Sequence, residues 1–215
     1  MPKKRKKDKK PRRPKINEQI PISRVRKVTL DGPAQVLQNA RQYPILGCWI
    51  MKSWQESGIT PVVIARQQDE GQVLYAIYMV DLYCLGVKDV TADVNVPQKR
   101  FERSLPKYCI QEPEEISVEL AHEIVYGALE YAHKYGFEPH YDFTHLHADQ
   151  VLDPPETHPR SHNVQFGKDG KPLFFPGPYD DERKIERAIQ TLERTAGEGN
   201  FHFMIGIGDP DFFDE

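Results

Sequence analysis

Long apolar runs are what this 215-residue chain most clearly lacks. The longest, Val73 to Val80, has eight residues, far short of the about 18 that a membrane-spanning helix needs, so no membrane partner is expected. Cysteine is scarce too. Cys48, Cys84 and Cys109 are odd in number and include no C-x-x-C pair. This argues against a disulfide framework or a zinc knuckle and for reduced thiols filling the core of a cytoplasmic protein. The N-terminal charges precede neither an apolar stretch nor a small-residue cleavage site, so they do not read as a secretory leader. A phosphate-cradling glycine loop is missing as well: Gly167-x-x-Gly170-Lys171 lacks the P-loop spacing and a helix directly after it. What is present, 39% apolar residues, suffices for one substantial core.

Charge is abundant and unevenly placed. Residues 1–15 hold ten cations, Lys3, Lys4, Arg5, Lys6, Lys7, Lys9, Lys10, Arg12, Arg13 and Lys15, against Asp8 alone, which leaves 19 basic and 31 acidic residues for the other 200. With Pro2, Pro11 and Pro14 and no large apolar residue after Met1, this arm cannot offset the entropy of ordering and is expected to be disordered when free. Such an arm suits the phosphates of RNA or DNA, because each neutralised phosphate releases a counterion. It suits equally a solubilising tail that folds onto its own acidic body. The run PKKRKK also looks like a lysine-rich nuclear import signal, which makes the nucleus the alternative location in a eukaryotic source.

The body, residues 23–208 between a tail and linker (1–22) and an acidic end (209–215), is expected to be a single α+β domain: an antiparallel or mixed sheet built on hairpins, with two main helices. Arg24 to Leu30 alternates as a half-exposed strand, Pro33 to Gln42 suits a short helix, and Ile45 to Trp54 is apolar with a period ambiguous between helix and strand. Pro61 to Arg66 and Gln72 to Tyr83 form a hairpin, the second arm apolar on both faces and therefore central. The chain then leaves the sheet through Gly86, Asp81 and Asp89 serve as turn formers, and 91–116 is a crossing loop with a short helical possibility at Gln98 to Ser104. Ser117 to Tyr135 is the best-defined helix, N-capped by Ser117 and stopped by Gly136. Its polar stripe of Glu119, His122, Glu123, Tyr126, Glu130 and His133 is expected to face solvent, with Glu130 and Lys134 paired. Further on, Asn163 to Gly167 and Lys171 to Phe175 flank the turn pair Asp169-Gly170 as a second hairpin. A surface helix capped by Asp180 or Asp181 runs to about Thr195, and Asn200 to Gly206 closes as a strand. That helix displays Arg183, Arg187 and Arg194 as a basic ridge able to contact phosphate.

Metal chemistry has two candidate sources. Glu119-x-x-His122 and Glu130-x-x-His133 have the spacing of di-iron ligands, but they lie eleven residues apart on one helix, about 16 Å along its axis, so one site cannot use both. The second source is the stretch after Gly136, which holds His140, His145, His147, His158 and His162, five of the eight histidines. Its segment Thr144-His145-Leu146-His147-Ala148-Asp149-Gln150 resembles the T-H-x-H-x-D-H signature of the metallo-β-lactamase superfamily, with Gln150 where the family has histidine. The resemblance implies that His145 and His147 bind one metal such as zinc, and that Asp149 binds a second and orients a hydroxide. A one-metal site of His140, His145 and His147, and a plain polar loop, are the alternatives.

The leading expectation is a non-enzymatic protein whose arm engages nucleic acid or ribonucleoprotein, with no cofactor. A metal-dependent hydrolase using residues 140–149 and a protein-interaction module with a solubilising tail are the competing ones.

Overall fold

The computed structural model describes residues 32–110, 112–177 and 180–204. The basic arm, the strand expected at Arg24 to Leu30 and the acidic end lie outside them. From Pro33 the chain forms α1 (Pro33–Gln38) and a 3-10 turn (Ala40–Gln42), with Val36, Leu37 and Ala40 buried at the expected helical spacing. The ambiguous run resolves into β1 (Ile45–Met51) and a single helical turn, α2 (Trp54–Ser57), closed by Gly58 at φ +68°. The expected hairpin follows as β2 (Ile59–Gln67) and β3 (Gln72–Asp81) around Asp69–Gly71.

After β3 the chain does not leave the sheet. Gly86, at φ +69°, turns it back into β4 (Gly86–Pro97), antiparallel to β3. Asp81 sets this turn by accepting the Tyr83 and Cys84 amides at 2.9 and 3.0 Å. The expected crossing loop at 91–116 in fact holds most of β4, then α3 (Gln98–Tyr108) and β5 (Pro113–Ile116). Register irregularities between β3 and β4 explain why this strand is hard to see in sequence. They put Val87, Val90 and Val94 into one core cluster and Val96 into another, which breaks the period of two.

The principal helix α4 (Val118–Lys134) forms as expected: Ser117 Oγ accepts the Leu120 amide at 3.1 Å, and Gly136 takes φ +81°. Beyond it lie α5 (Asp142–His145), β6 (Leu173–Phe174), α6 (Glu182–Thr195), N-capped by Asp181, and β7 (His202–Phe203). The second hairpin keeps its turn, with Asp169 and Gly170 both at positive φ, but not its arms. The Gly167 and Leu173 amides donate instead to the carbonyls of Leu82 and Tyr83, and β6 pairs in parallel with β7. The closing strand is correspondingly short among the described residues.

The architecture is α+β, with a five-stranded antiparallel sheet in the order β4-β3-β2-β1-β5. Both faces of β3 are covered. Leu74, Ala76, Tyr78 and Val80 cluster with Ala121, Ile124, Val125 and Ala128 of α4, whereas Val73 and Tyr75 cluster with Phe101 and Leu105 of α3. Alternation along one strand thus feeds two cores. A third cluster buries Leu192 of α6 against Cys84, Tyr135 and Phe174. The three cysteines are buried and unpaired; burial pushes the Cys48 thiol up to about 12 and the Cys109 thiol to about 11, which fits packing rather than reactivity. Among the described residues no helix is long and apolar enough to cross a membrane.

Candidate functional site

The polar stripe of α4 does not simply face solvent, as its periodicity suggests. His122 and Glu123 are buried, at 1% and 5% exposure, because the proline-rich stretch 153–164 lies across them. Three side chains anchor the start of that stretch. His122 Nε2 lies 3.0 Å from the Pro154 carbonyl and the Tyr126 hydroxyl donates to the Asp153 carbonyl at 3.1 Å. From β2, buried Arg66 donates to Asp153 Oδ1 at 2.6 Å, and to the carbonyls of Val151 and Tyr43. His158 bridges two carboxylates, 3.0 Å from Asp153 and 3.8 Å from Glu119. Partial burial would raise the Asp153 carboxyl, but His158 and Arg66 outweigh it and hold the group below its ordinary range. Farther along α4, Glu130 pairs with Arg160 rather than with Lys134.

Glu123 holds the end of the stretch. Its carboxylate accepts the amides of Ser161, His162 and Val164 at 2.8, 2.9 and 3.1 Å, and His162 Nδ1 lies 3.2 Å away. Burial would raise this carboxyl; the hydrogen bonds from His162, Val164 and Ser161 prevail and lower it. With Nδ1 turned to the carboxylate, the second ring nitrogen, Nε2, is left for another partner. No partner for Nε2 exists among the described residues.

The stretch so pinned forms one wall of a cleft of about 600 Å³. Its floor is apolar and aromatic, from Leu82, Tyr83, Leu120 and Trp54, and its rim is polar, from Gln55, His162, Asn163, Gln165, Lys168 and Asp169. The wall is doubly fixed, by Glu123 and by the Gly167 amide on Leu82. An apolar and aromatic lining with a few polar side chains is the general form of a small-molecule site.

The candidates from sequence fall elsewhere. His145 lies in α5 with Nδ1 2.6 Å from the Tyr141 hydroxyl and its ring stacked on that tyrosine. His140 Nδ1 is 3.6 Å from Asp142, His147 takes φ +56° at the next turn, and Asp149 accepts from the Gln150 amide. Among the described residues no three or more His, Cys, Asp or Glu side chains are grouped to hold one metal. Arg183, Arg187 and Arg194 are exposed on α6, and Arg187 Nε reaches the Arg183 carbonyl at 3.1 Å. Sequence reasoning missed Arg66, Glu123, Asp153 and the ring nitrogen of His162. Two signals were available: a lone arginine in an apolar strand and a proline-rich segment of matching polarity after the helix.

Compared with known proteins, this α+β chain matches no family profile, no curated protein and no solved structure.

Proposed function

We propose that the chain is a non-enzymatic nucleic-acid-binding protein whose N-terminal arm engages RNA or DNA, free or in ribonucleoprotein. The observation that carries this is the arm itself, ten cations in fifteen residues on a body with 19 basic and 31 acidic groups. Exposed Arg183, Arg187 and Arg194 supply secondary phosphate contacts. Buried reduced thiols support a cytoplasmic location, and PKKRKK a nuclear one in a eukaryotic source.

Fluorescence anisotropy with labelled single- and double-stranded RNA and DNA across a salt series tests this, using the full chain and a form lacking residues 2–15. Binding that falls steeply with salt and weakens greatly on truncation is expected. No binding by either form would overturn the proposal and favour a protein-interaction module. Metal-dependent hydrolysis at His140, His145, His147 and Asp149 is separable from it. That activity requires bound metal in near-stoichiometric amount, lost in His145→Ala and His147→Ala, and zinc analysis of the purified protein decides it.

A further inference from the structure

We infer that the cleft between α2, the β3–β4 turn and residues 162–169 accepts an unstacked base of single-stranded RNA or DNA. This rests on the nucleic-acid function proposed above and names the form of nucleic acid recognised. The cleft's volume of about 600 Å³ lies within the roughly 300–1,000 Å³ of small-molecule sites.

Three features of the lining select a nucleobase. Trp54 and Tyr83 are half-buried rings on the floor, and every base has a π-face to lay on such a ring. Around them Gln55, Asn163 and Gln165 each carry an amide with both donors and an acceptor, and none of these side chains has a hydrogen-bond partner among the described residues. His162 Nε2 adds a ring nitrogen able to hydrogen-bond a base edge. A Watson–Crick edge mixes donors and acceptors in the same way, and it is free only when the base is unpaired. Lys168 stands at the rim, where the phosphate on the seated nucleotide's sugar can meet an ammonium, and Asp169 beside it suits an exocyclic amine or a ribose hydroxyl.

Preorganisation strengthens the inference. Because Glu123 fixes Ser161, His162 and Val164 by hydrogen bonds, the wall is set before a ligand arrives. A duplex cannot enter: its bases are stacked on neighbours and their pairing edges are engaged. The arm supplies affinity for any polyanion; the cleft supplies the preference for single strands.

Trp49→Phe leaves Trp54 as the sole tryptophan and reporter. Trp49 packs edge-on to Phe101 in the α3-side cluster, away from the cleft. Titration with a single-stranded oligonucleotide, a duplex of the same sequence and AMP is expected to quench Trp54 with the single strand and AMP and leave it unchanged with the duplex. Gln165→Ala combined with Lys168→Glu, both at exposed positions, is expected to weaken single-strand binding about tenfold and leave duplex binding within about twofold. Its circular dichroism and Tm should match those of the parent. Salt-sensitive binding with a silent Trp54, equal quenching by duplex, or an unaffected double variant overturns the inference and leaves the arm's function standing. Quenching by AMP without salt-sensitive polyanion binding supports the cleft and overturns the arm. Absence of both removes both.

Discussion

Glu123 accepts three backbone amides and one imidazole from Ser161, His162 and Val164, so its charge shapes a loop. Glu123→Gln leaves one carbonyl oxygen where two carboxylate oxygens stood and turns an NH₂ towards donors. A loss of about 3 kcal/mol is expected in urea unfolding. The sign of the pH effect follows from the lowered folded pKa. Between the folded and unfolded values the unfolded chain binds more protons, so stability rises with pH there. The contribution is complete above the ordinary carboxylate range and is lost as pH falls through the lowered folded value. Unfolding titrations between about pH 7 and 3 should therefore show a steeper acid decline for the parent than for Glu123→Gln. Asp153 is shifted in the same direction, so some acid sensitivity is expected to remain in the variant.

At the scale of elements, α4 joins the sheet to the cleft: one half of its surface packs on β3 and the other carries the proline-rich stretch. Its start depends on one cap, and Ser117→Ala is expected to cost about 1 kcal/mol in the same unfolding measurement. The β3–β4 turn presses on the far end of α4. A Cβ on Gly86, already at φ +69°, would lie 2.9 Å from Ala132 Cβ and 3.0 Å from the Ala128 carbonyl oxygen. Gly86→Ala therefore adds left-handed strain to a contact with helix backbone that cannot give way, and a loss of about 2 kcal/mol or more, seen as a lowered Tm, is expected. The apolar half and both ends of α4 were legible because periodicity and capping are local. The fate of its polar half was not, because a helical wheel distinguishes apolar from polar positions but not water from a polar partner far along the chain.

For the whole molecule the opposite charges of arm and body predominate. Removing residues 2–15 is expected to reduce the slope of log affinity against log salt by about 0.7 for each single-strand phosphate that the arm neutralises. Arg183→Glu, Arg187→Glu and Arg194→Glu together should weaken binding beyond the effect of truncation, measured by anisotropy at fixed salt. No additional weakening would sink the role of the ridge.

The sequence by itself determined the β2–β3 hairpin, the central place of β3, the capped helix at 118–134 and the amphipathic helix at 182–195, because alternation, helical period and capping residues act within a few positions of one another. Only the tertiary structure decided that β4 is a strand, since its face assignments shift with the register of β3. It also decided the cleft, which depends on hydrogen bonds between residues 38 to 41 positions apart, from Ser161, His162 and Val164 to Glu123. Long-range contacts of this kind leave no period in the chain, so His162 stands out in the sequence only as one of five crowded histidines, and nothing local marks it as the one whose ring is held at the cleft.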